Sequence, residues 1–287
     1  MAMHLLFLIF VFLFSAPALA ENSAVDQRID QEKKLQKNSF AIIPYKPNYL
    51  LPFTFNNNIQ SNDAYKDVVS SDELQPVEVK FQLSFKIPVL VDIADLPISL
   101  YFGYTQVSFW QAYNSSNSSP FRETNYQPEM FLQWLHNRKL GGNWHFKLAT
   151  LNLTHQSNGK TEPASRSWNR IESKLVLENG NFMLALNPWI RFTEDKESDN
   201  NPDLLDYYGH GKIVALYKIG KQNVSISSRN NIESGFSKGS LEFNWSFPLH
   251  GKIRGYFQIF SGYGNSLIEY NQYSNTVGLG ISLTDWL

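Results

Sequence analysis

The chain has 287 residues, 43% of them hydrophobic and 15% aromatic, with a formal net charge of -1 and no cysteine. The balanced charge gives no electrostatic footprint for nucleic acid, and the lack of cysteine excludes disulfides, thiolate metal sites and a lipoprotein anchor. A mean hydropathy of -0.31 would suit a soluble protein, so any case for a membrane rests on pattern, not on average composition.

At the N-terminus Leu5–Phe14 is an unbroken apolar run, followed by Ala16-Pro17-Ala18-Leu19-Ala20, an A-x-A cleavage pattern. This predicts a secretory signal peptide over residues 1–20, although no Lys or Arg precedes the run. A membrane anchor is the rival reading, and the run is short for spanning. Residues 21–40 are polar and charged and read as a mobile, loop-like lead-in. Residues 41–287 read as one unit with no second boundary.

From there the chain is strand upon strand. After a first candidate at 47–56, Val77, Val79, Phe81, Leu83, Phe85, Ile87 and Val89 alternate with Glu78, Lys80, Gln82, Ser84 and Lys86. A period of two over that length matches a tilted bilayer-spanning strand, whereas strands of soluble proteins are nearer 5–6 residues. Further candidates follow at 97–111, 124–136, 143–155 and 166–178. Phe182, Leu184, Leu186, Ile190 and Phe192 then share one face. Candidates at 204–218 and 221–231 precede Leu241, Phe243, Trp245, Phe247 and Leu249, which alternate with Glu242, Asn244 and Ser246. After 251–263, the last segment sets Val277, Leu279, Ile281, Leu283 and Leu287 against Thr276, Gly278, Gly280, Ser282 and Thr284.

Asn179-Gly180 and Ile219-Gly220-Lys221 read as tight hairpins, while 112–123, 156–165, 193–203 and 264–275 are longer and polar. Short turns and long loops alternate, as at the two ends of an outer-membrane barrel, and the seven Trp and fourteen Tyr suit interfacial girdles. The reading is therefore all-β: a transmembrane antiparallel β-barrel of about 12 strands. A soluble β-sandwich is the rival.

Within this pattern one polar group stands out. His155 and Ser157, two residues apart, share strand parity with Leu151 and Leu153. Asn169 shares parity with Ile171, Leu175 and Leu177, while Arg170, Glu172, Lys174 and Glu178 point the other way. H-x-S recurs by chance, and a strand His and Ser satisfied by neighbours is its plainer meaning. Three polar residues on a lipid-facing surface are costly, however, and call for a reason. A base, a hydroxyl nucleophile and an orienting amide supply one. Asn158-Gly159 adds a turn with exposed amides beside the hydroxyl. Gln106 is a second polar residue of apolar parity, shared with Ile98, Leu100, Phe102 and Tyr104. Two such amides can satisfy each other across a symmetric interface, unless a register slip turns Gln106 inward.

Four stretches, His155-Gln156-Ser157-Asn158-Gly159, Ser165-Arg166-Ser167-Trp168-Asn169-Arg170, Ser118 to Tyr126 (SSPFRETNY) and Ser261-Gly262-Tyr263-Gly264, resemble the bacterial outer-membrane phospholipase A family. The likeness runs from about residue 40 to the C-terminus. It implies a twelve-stranded barrel that hydrolyses glycerophospholipid acyl esters with calcium and is active as a homodimer. By position it implies Ser157 as nucleophile, His155 as base, Asn169 as orienter and the Gly159 N–H as oxyanion donor. It also implies calcium ligands at the Lys160 carbonyl, the Ser165 hydroxyl and Ser118 of a partner subunit, with Gln106 at the dimer contact. Lys160 stands where the family more often has Arg, a change that a backbone ligand tolerates.

Two other classes remain to be told apart from this reading. One is a non-catalytic barrel, channel or structural, against which the opposed charges Glu78, Lys80, Lys86, Arg170, Glu172, Lys174 and Glu178 argue by filling the lumen. The other is a different lipid acyl-modifying enzyme. The expected partners are phospholipid, the outer membrane and a second copy of the chain, with no nucleic acid.

Overall fold

In lipid, strands with one apolar and one polar face can satisfy every backbone group only by closing into a cylinder. The computed structural model of the protein does this. It describes residues 23–36, 38, 40–59, 65, 74–195, 197 and 199–287, so the expected signal peptide over residues 1–20 lies outside the described residues.

The elements are α1 (Ala24–Gln36), β1 (Ile43–Pro44), β2 (Asn48–Asn56), β3 (Val77–Leu90), β4 (Ile98–Trp110), β5 (Phe121–Gly141), β6 (Trp144–Ser157), β7 (Ser167–Asn179), β8 (Phe182–Arg191), α2 (Leu204–Tyr208), β9 (Gly211–Ile219), β10 (Gln222–Asn230), β11 (Gly239–His250), β12 (Ile253–Tyr263) and β13 (Tyr273–Thr284). From β2 to β13 each strand pairs antiparallel with its neighbours in sequence, and the β13–β2 pairing closes a twelve-stranded barrel. The two-residue β1 adds to β3. Tight turns at 180–181, 220–221 and 251–252 lie at one end, and the connections 111–120, 158–166, 192–210, 231–238 and 264–272 lie at the other.

The faces are inverted relative to a water-soluble fold. Leu151 is 56% exposed, Leu153 57% and Ile190 72%, whereas Glu78, Asn152 and Arg170 are buried. That distribution removes the sandwich, which would bury the leucines. Trp110, Trp134, Trp245, Tyr113 and Tyr273 are exposed on the outside, while Trp168 and Trp189 are buried under the loops of the long-loop end.

The lumen is filled by polar contacts. Arg122 bridges Glu78 at 2.7 Å and Glu269 at 3.2 Å, Lys46 meets Glu129 at 2.9 Å, and Arg170 meets Glu172 at 2.8 Å. The expected interlock of seven charges holds for that last pair. Lys80 instead donates to Gln258 at 2.8 Å and Lys174 to the Tyr45 hydroxyl at 3.2 Å.

Three sequence expectations are corrected. Residues 24–36 are not a loop-like lead-in but a helix inside the barrel at the tight-turn end. The Ser23 hydroxyl caps it by accepting from Asp26 N at 3.1 Å. Val25 packs on Val176, Met183, Ala185, Val214 and Leu216. Asp26 pairs with Lys147 at 2.6 Å, and Glu32 pairs with Lys86 and Arg28, each at 2.8 Å. Burial pushes the Glu32 carboxyl up, but Lys86 and Arg28 outweigh it and hold the group below the usual carboxylate range. The helix has no apolar period to mark it in the sequence, because it docks largely by charge and has only a short apolar face.

Residues 204–218 are not one strand. Leu204–Tyr208 forms α2, with Leu204 and Tyr208 packed on Trp168, Trp189, Leu267 and Tyr270, and the strand starts at Gly211. Finally, the outward alternation of the last segment ends at Thr284, and Trp286 and Leu287 turn inward against the Val25 cluster.

Candidate functional site

β6 and β7 carry the candidate residues to the rim at the long-loop end. Their register pairs His155 with Asn169 and Ser157 with Ser167. Because the neighbouring outward residues Leu151 and Leu153 are exposed, and the intervening Asn152 and Thr154 are buried, His155 and Ser157 belong to the outer wall. His155 Nδ1 lies 2.8 Å from Asn169 Oδ1. With the amide oxygen as acceptor, the imidazole N–H sits on Nδ1 and Nε2 keeps its lone pair. No hydrogen bond joins Ser157 to His155 in this structure; such bonds commonly tighten only around substrate.

The loop 158–166 is shaped by Asn158, which is 4% exposed. Its backbone N–H donates to the Arg166 carbonyl at 3.0 Å and its Nδ2 to the Ala164 carbonyl at 2.8 Å. Its Oδ1 accepts from Lys160 N at 3.3 Å and Arg166 N at 3.0 Å. Gly159 adopts φ +65°, which favours glycine, and a Cβ there would stand 3.0 Å from the Tyr126 ring, so a side chain would have to displace that ring. Tyr126 itself pairs with Gln106 on β4 and Ser157 on β6. One level of the outer wall therefore runs Gln106, Tyr126, Ser157, Ser167.

The remaining expected residues lie around the same rim. The Lys160 side chain reaches into the wall, donating to the Arg122 carbonyl at 2.8 Å and meeting Glu123 at 3.2 Å. That leaves its backbone on the loop. Ser165 Oγ accepts from Asn200 Nδ2 at 2.9 Å, and Asn200 Oδ1 accepts from Ser167 N at 3.0 Å. Ser118 sits in the turn between β4 and β5 with φ 55°.

Gln106 faces outward, since Tyr101 and Thr105 of the opposite parity are buried. It is not a bare amide, however. Tyr104 donates to its Oε1 and its Nε2 donates to Ser108, each at 3.0 Å. Among the described residues no three His, Cys, Asp or Glu converge on a metal position. The oxygens of Lys160, Ser165 and Ser118 are neutral carbonyl and hydroxyl donors, hard ligands of the kind calcium accepts.

Two polar contacts were not anticipated. The Asn158–Gly159 turn was legible, but not the four bonds that make Asn158 the loop's organiser. The amide of Asn169 is held on its far side by Glu194, whose Oε1 lies 3.4 Å from Asn169 Nδ2. No pattern in the sequence joins residues 169 and 194.

The Phospholipase A1 family model matches residues 25–283. Phospholipase A1 of Klebsiella pneumoniae is 37% identical over 248 residues, covering 86% of this chain and 84% of the relative. Phospholipase A1 of Escherichia coli (strain K12) is 37% identical over 252 residues, covering 86% and 83%. Among solved structures, the calcium-bound dimer of Salmonella typhi outer membrane phospholipase is similar with a TM-score of 0.81 and 37% identity, covering 86% of this chain and 94% of that one. Outer membrane phospholipase A from Escherichia coli has a TM-score of 0.82 at 34% identity, covering 89% and 97%.

Proposed function

Since this chain belongs to the phospholipase A1 family and is an outer-membrane phospholipase, we propose that it cleaves glycerophospholipid acyl esters with Ser157 as nucleophile, His155 as general base and Asn169 as orienting amide. The observation that carries this reading is the 2.8 Å contact between His155 Nδ1 and Asn169 Oδ1. It lies on an outer wall whose neighbours Leu151, Leu153 and Ile171 are exposed to lipid. A hydrolytic site there meets its substrate without extracting it from the membrane.

Ser157 Oγ attacks the ester carbonyl while His155 Nε2 takes its proton. The Nδ1–H bond to Asn169 holds the ring in the competent tautomer and supports the imidazolium. The Gly159 N–H, presented by the turn, donates to the developing oxyanion. As the tetrahedral intermediate collapses, the imidazolium returns the proton to the departing lysophospholipid oxygen, leaving an acyl-serine. A water then attacks this ester, with His155 again taking and returning the proton, and the products are a free fatty acid and the original Ser157. A neutral amide in place of a carboxylate stabilises the imidazolium less, but adds no second charge beside lipid.

The residues placed to hold calcium are Lys160 through its carbonyl, Ser165 through its hydroxyl and Ser118 of the partner subunit. Their all-oxygen donor set and the fixed shape of the Asn158-pinned loop suit that ion. Bound calcium would polarise the ester carbonyl and share the oxyanion charge. With no carboxylate among these ligands the affinity is modest, and Glu162 remains a loop charge.

The decisive assay is fatty-acid release from a defined phospholipid in detergent micelles, with calcium and then with chelator. Release that survives chelation removes the calcium role. Acyl transfer to an added alcohol in place of fatty-acid release would point to the acyl-modifying alternative.

A further inference from the structure

We infer that Glu194 is a positioning residue for the reaction: by accepting from Asn169 Nδ2 it fixes which end of that amide faces His155, and so which imidazole nitrogen is free to take the Ser157 proton. The inference rests on the triad reading above and goes one residue beyond it.

An asparagine in this position has a weakness that an aspartate lacks. Its carboxamide has an acceptor end and a donor end of nearly the same shape. Turned one way, Oδ1 accepts from His155 Nδ1–H and Nε2 is a base. Turned the other way, Nδ2 donates to Nδ1, the neutral ring must carry its proton on Nε2, and the base toward Ser157 is gone. Something has to select between the two.

Glu194 does so. An ionised carboxylate can only accept, so it is satisfied by Nδ2 and repelled by Oδ1. Its 3.4 Å contact with Nδ2 and the 2.8 Å contact of Oδ1 with His155 are the two ends of one chain of bonds. The backbone places it there: Phe192 N donates to the Asn169 carbonyl at 2.8 Å, carrying the β7–β8 ladder past Arg191 and laying residues 192–194 beside Asn169. The wall around the pair is apolar, with Leu153, Ile171, Ile190 and Phe192 exposed on it. Through the polarised amide, the Glu194 charge also favours the imidazolium that forms as Ser157 attacks.

Four other charges of the adjoining elements have partners of their own. From β7, Arg170 points inward and pairs with Glu172. From the 158–166 loop, Lys160 is held by Glu123, and Arg166 donates to the Pro163 and Ser165 carbonyls. Arg191 at the end of β8 is held by Asp199. From β5 the facing group is Tyr126, at the level of Ser157.

The test is a series at residue 194 in two backgrounds, Asn169 and Asn169→Asp, read by kcat, KM and pH profile, with heat-resistant gel migration as the folding control. In the native background Glu194→Ala is expected to lower kcat about two- to tenfold with KM unchanged, the weight of one hydrogen bond. Glu194→Lys should cost more than tenfold, because a donor selects the wrong amide orientation. Glu194→Gln should lower kcat at the pH optimum by up to the same factor, because its amide no longer selects one orientation, and should move the acid limb of kcat/KM to lower pH, an effect weakened by salt. In the Asn169→Asp background no orientation needs choosing and Glu194 becomes a like charge, so Glu194→Gln should raise activity. A merely structural role would not reverse sign. Glu194→Lys as active as the native protein, or Glu194→Gln acting in the same direction in both backgrounds, overturns the inference. If Ser157→Ala retains activity, the triad reading falls and takes this one with it. If Ser157→Ala is inactive and the residue-194 series is flat, this inference alone fails.

Discussion

At the scale of single residues, the site separates chemistry from orientation. Ser157→Ala removes the attacking atom and is expected to reduce fatty-acid release by roughly three orders of magnitude or more while the barrel still forms. Asn169→Ala leaves the imidazole basic but free to turn, and a loss of about ten- to a hundredfold is expected. Activity of Ser157→Ala within a few-fold of native would remove the nucleophile assignment. Asn158 is a different kind of residue. It is buried, and its side chain ties Lys160, Ala164 and Arg166 into one loop. Asn158→Ala should therefore raise the calcium concentration needed for half-maximal activity by about tenfold, with little effect on the melting of the barrel. An unchanged calcium requirement would mean that the loop holds its shape without this amide.

At the scale of elements, α1 is the part whose hold on the barrel depends on pH. Glu32 titrates below the usual carboxylate range in the docked helix, where Lys86 and Arg28 face it. A depressed folded value means that its stabilisation is complete above the ordinary carboxylate range and is lost as pH falls through the lowered value. Helix α1 should then stay docked at neutral pH and loosen in acid, while the strand ladders persist. Because the chain has no cysteine, a single Gln36→Cys thiol reports this through its labelling rate from the tight-turn end, taken at each pH relative to a free thiol, since only the thiolate reacts. Labelling that is equally slow at pH 7 and pH 3 would argue that packing of Val25, not charge, holds the helix. Glu32→Gln should label faster than the native helix at neutral pH.

At the scale of the whole molecule, charged side chains and a helix crowd the lumen, and the proposed site lies on the outer wall. Helix α1 and the Arg122, Lys46 and Arg170 ion pairs occupy part of the interior, and adjoining cavities of about 280 and 210 Å³, both lined by Lys46, Gln82 and Trp286, remain beside them. A convex outer wall offers a lone acyl chain little surface, so two walls meeting near Gln106 would form the groove that holds it. In this proposal monomers are nearly silent, and calcium and bound substrate favour the dimer by linkage. Sedimentation with and without calcium and an acyl-serine inhibitor checks it. A dimer fraction indifferent to both ligands, or full activity in monomer, would overturn it. Gln106→Ala should weaken the dimer by no more than about tenfold, because Tyr104 and Ser108 already satisfy the amide within one chain.

The sequence by itself determined the wall. Lipid on one side and a polar lumen on the other act on every residue of a strand in turn, so the alternation from Val77 to Val89 carries the fold locally. The same local rule placed His155 and Ser157 on one face and Asn169 on the matching face of the next strand. What only the tertiary structure decided are contacts between segments that share no period. The docking of α1 depends on Lys86 and Lys147 from distant strands. The turn of Leu204–Tyr208 into a helix depends on the aromatic cluster of Trp168, Trp189 and Tyr270. The Glu194 contact depends on how far the β7–β8 ladder runs past its last paired residues. Periodicity reports which way a side chain points, and these contacts depend on what it meets there.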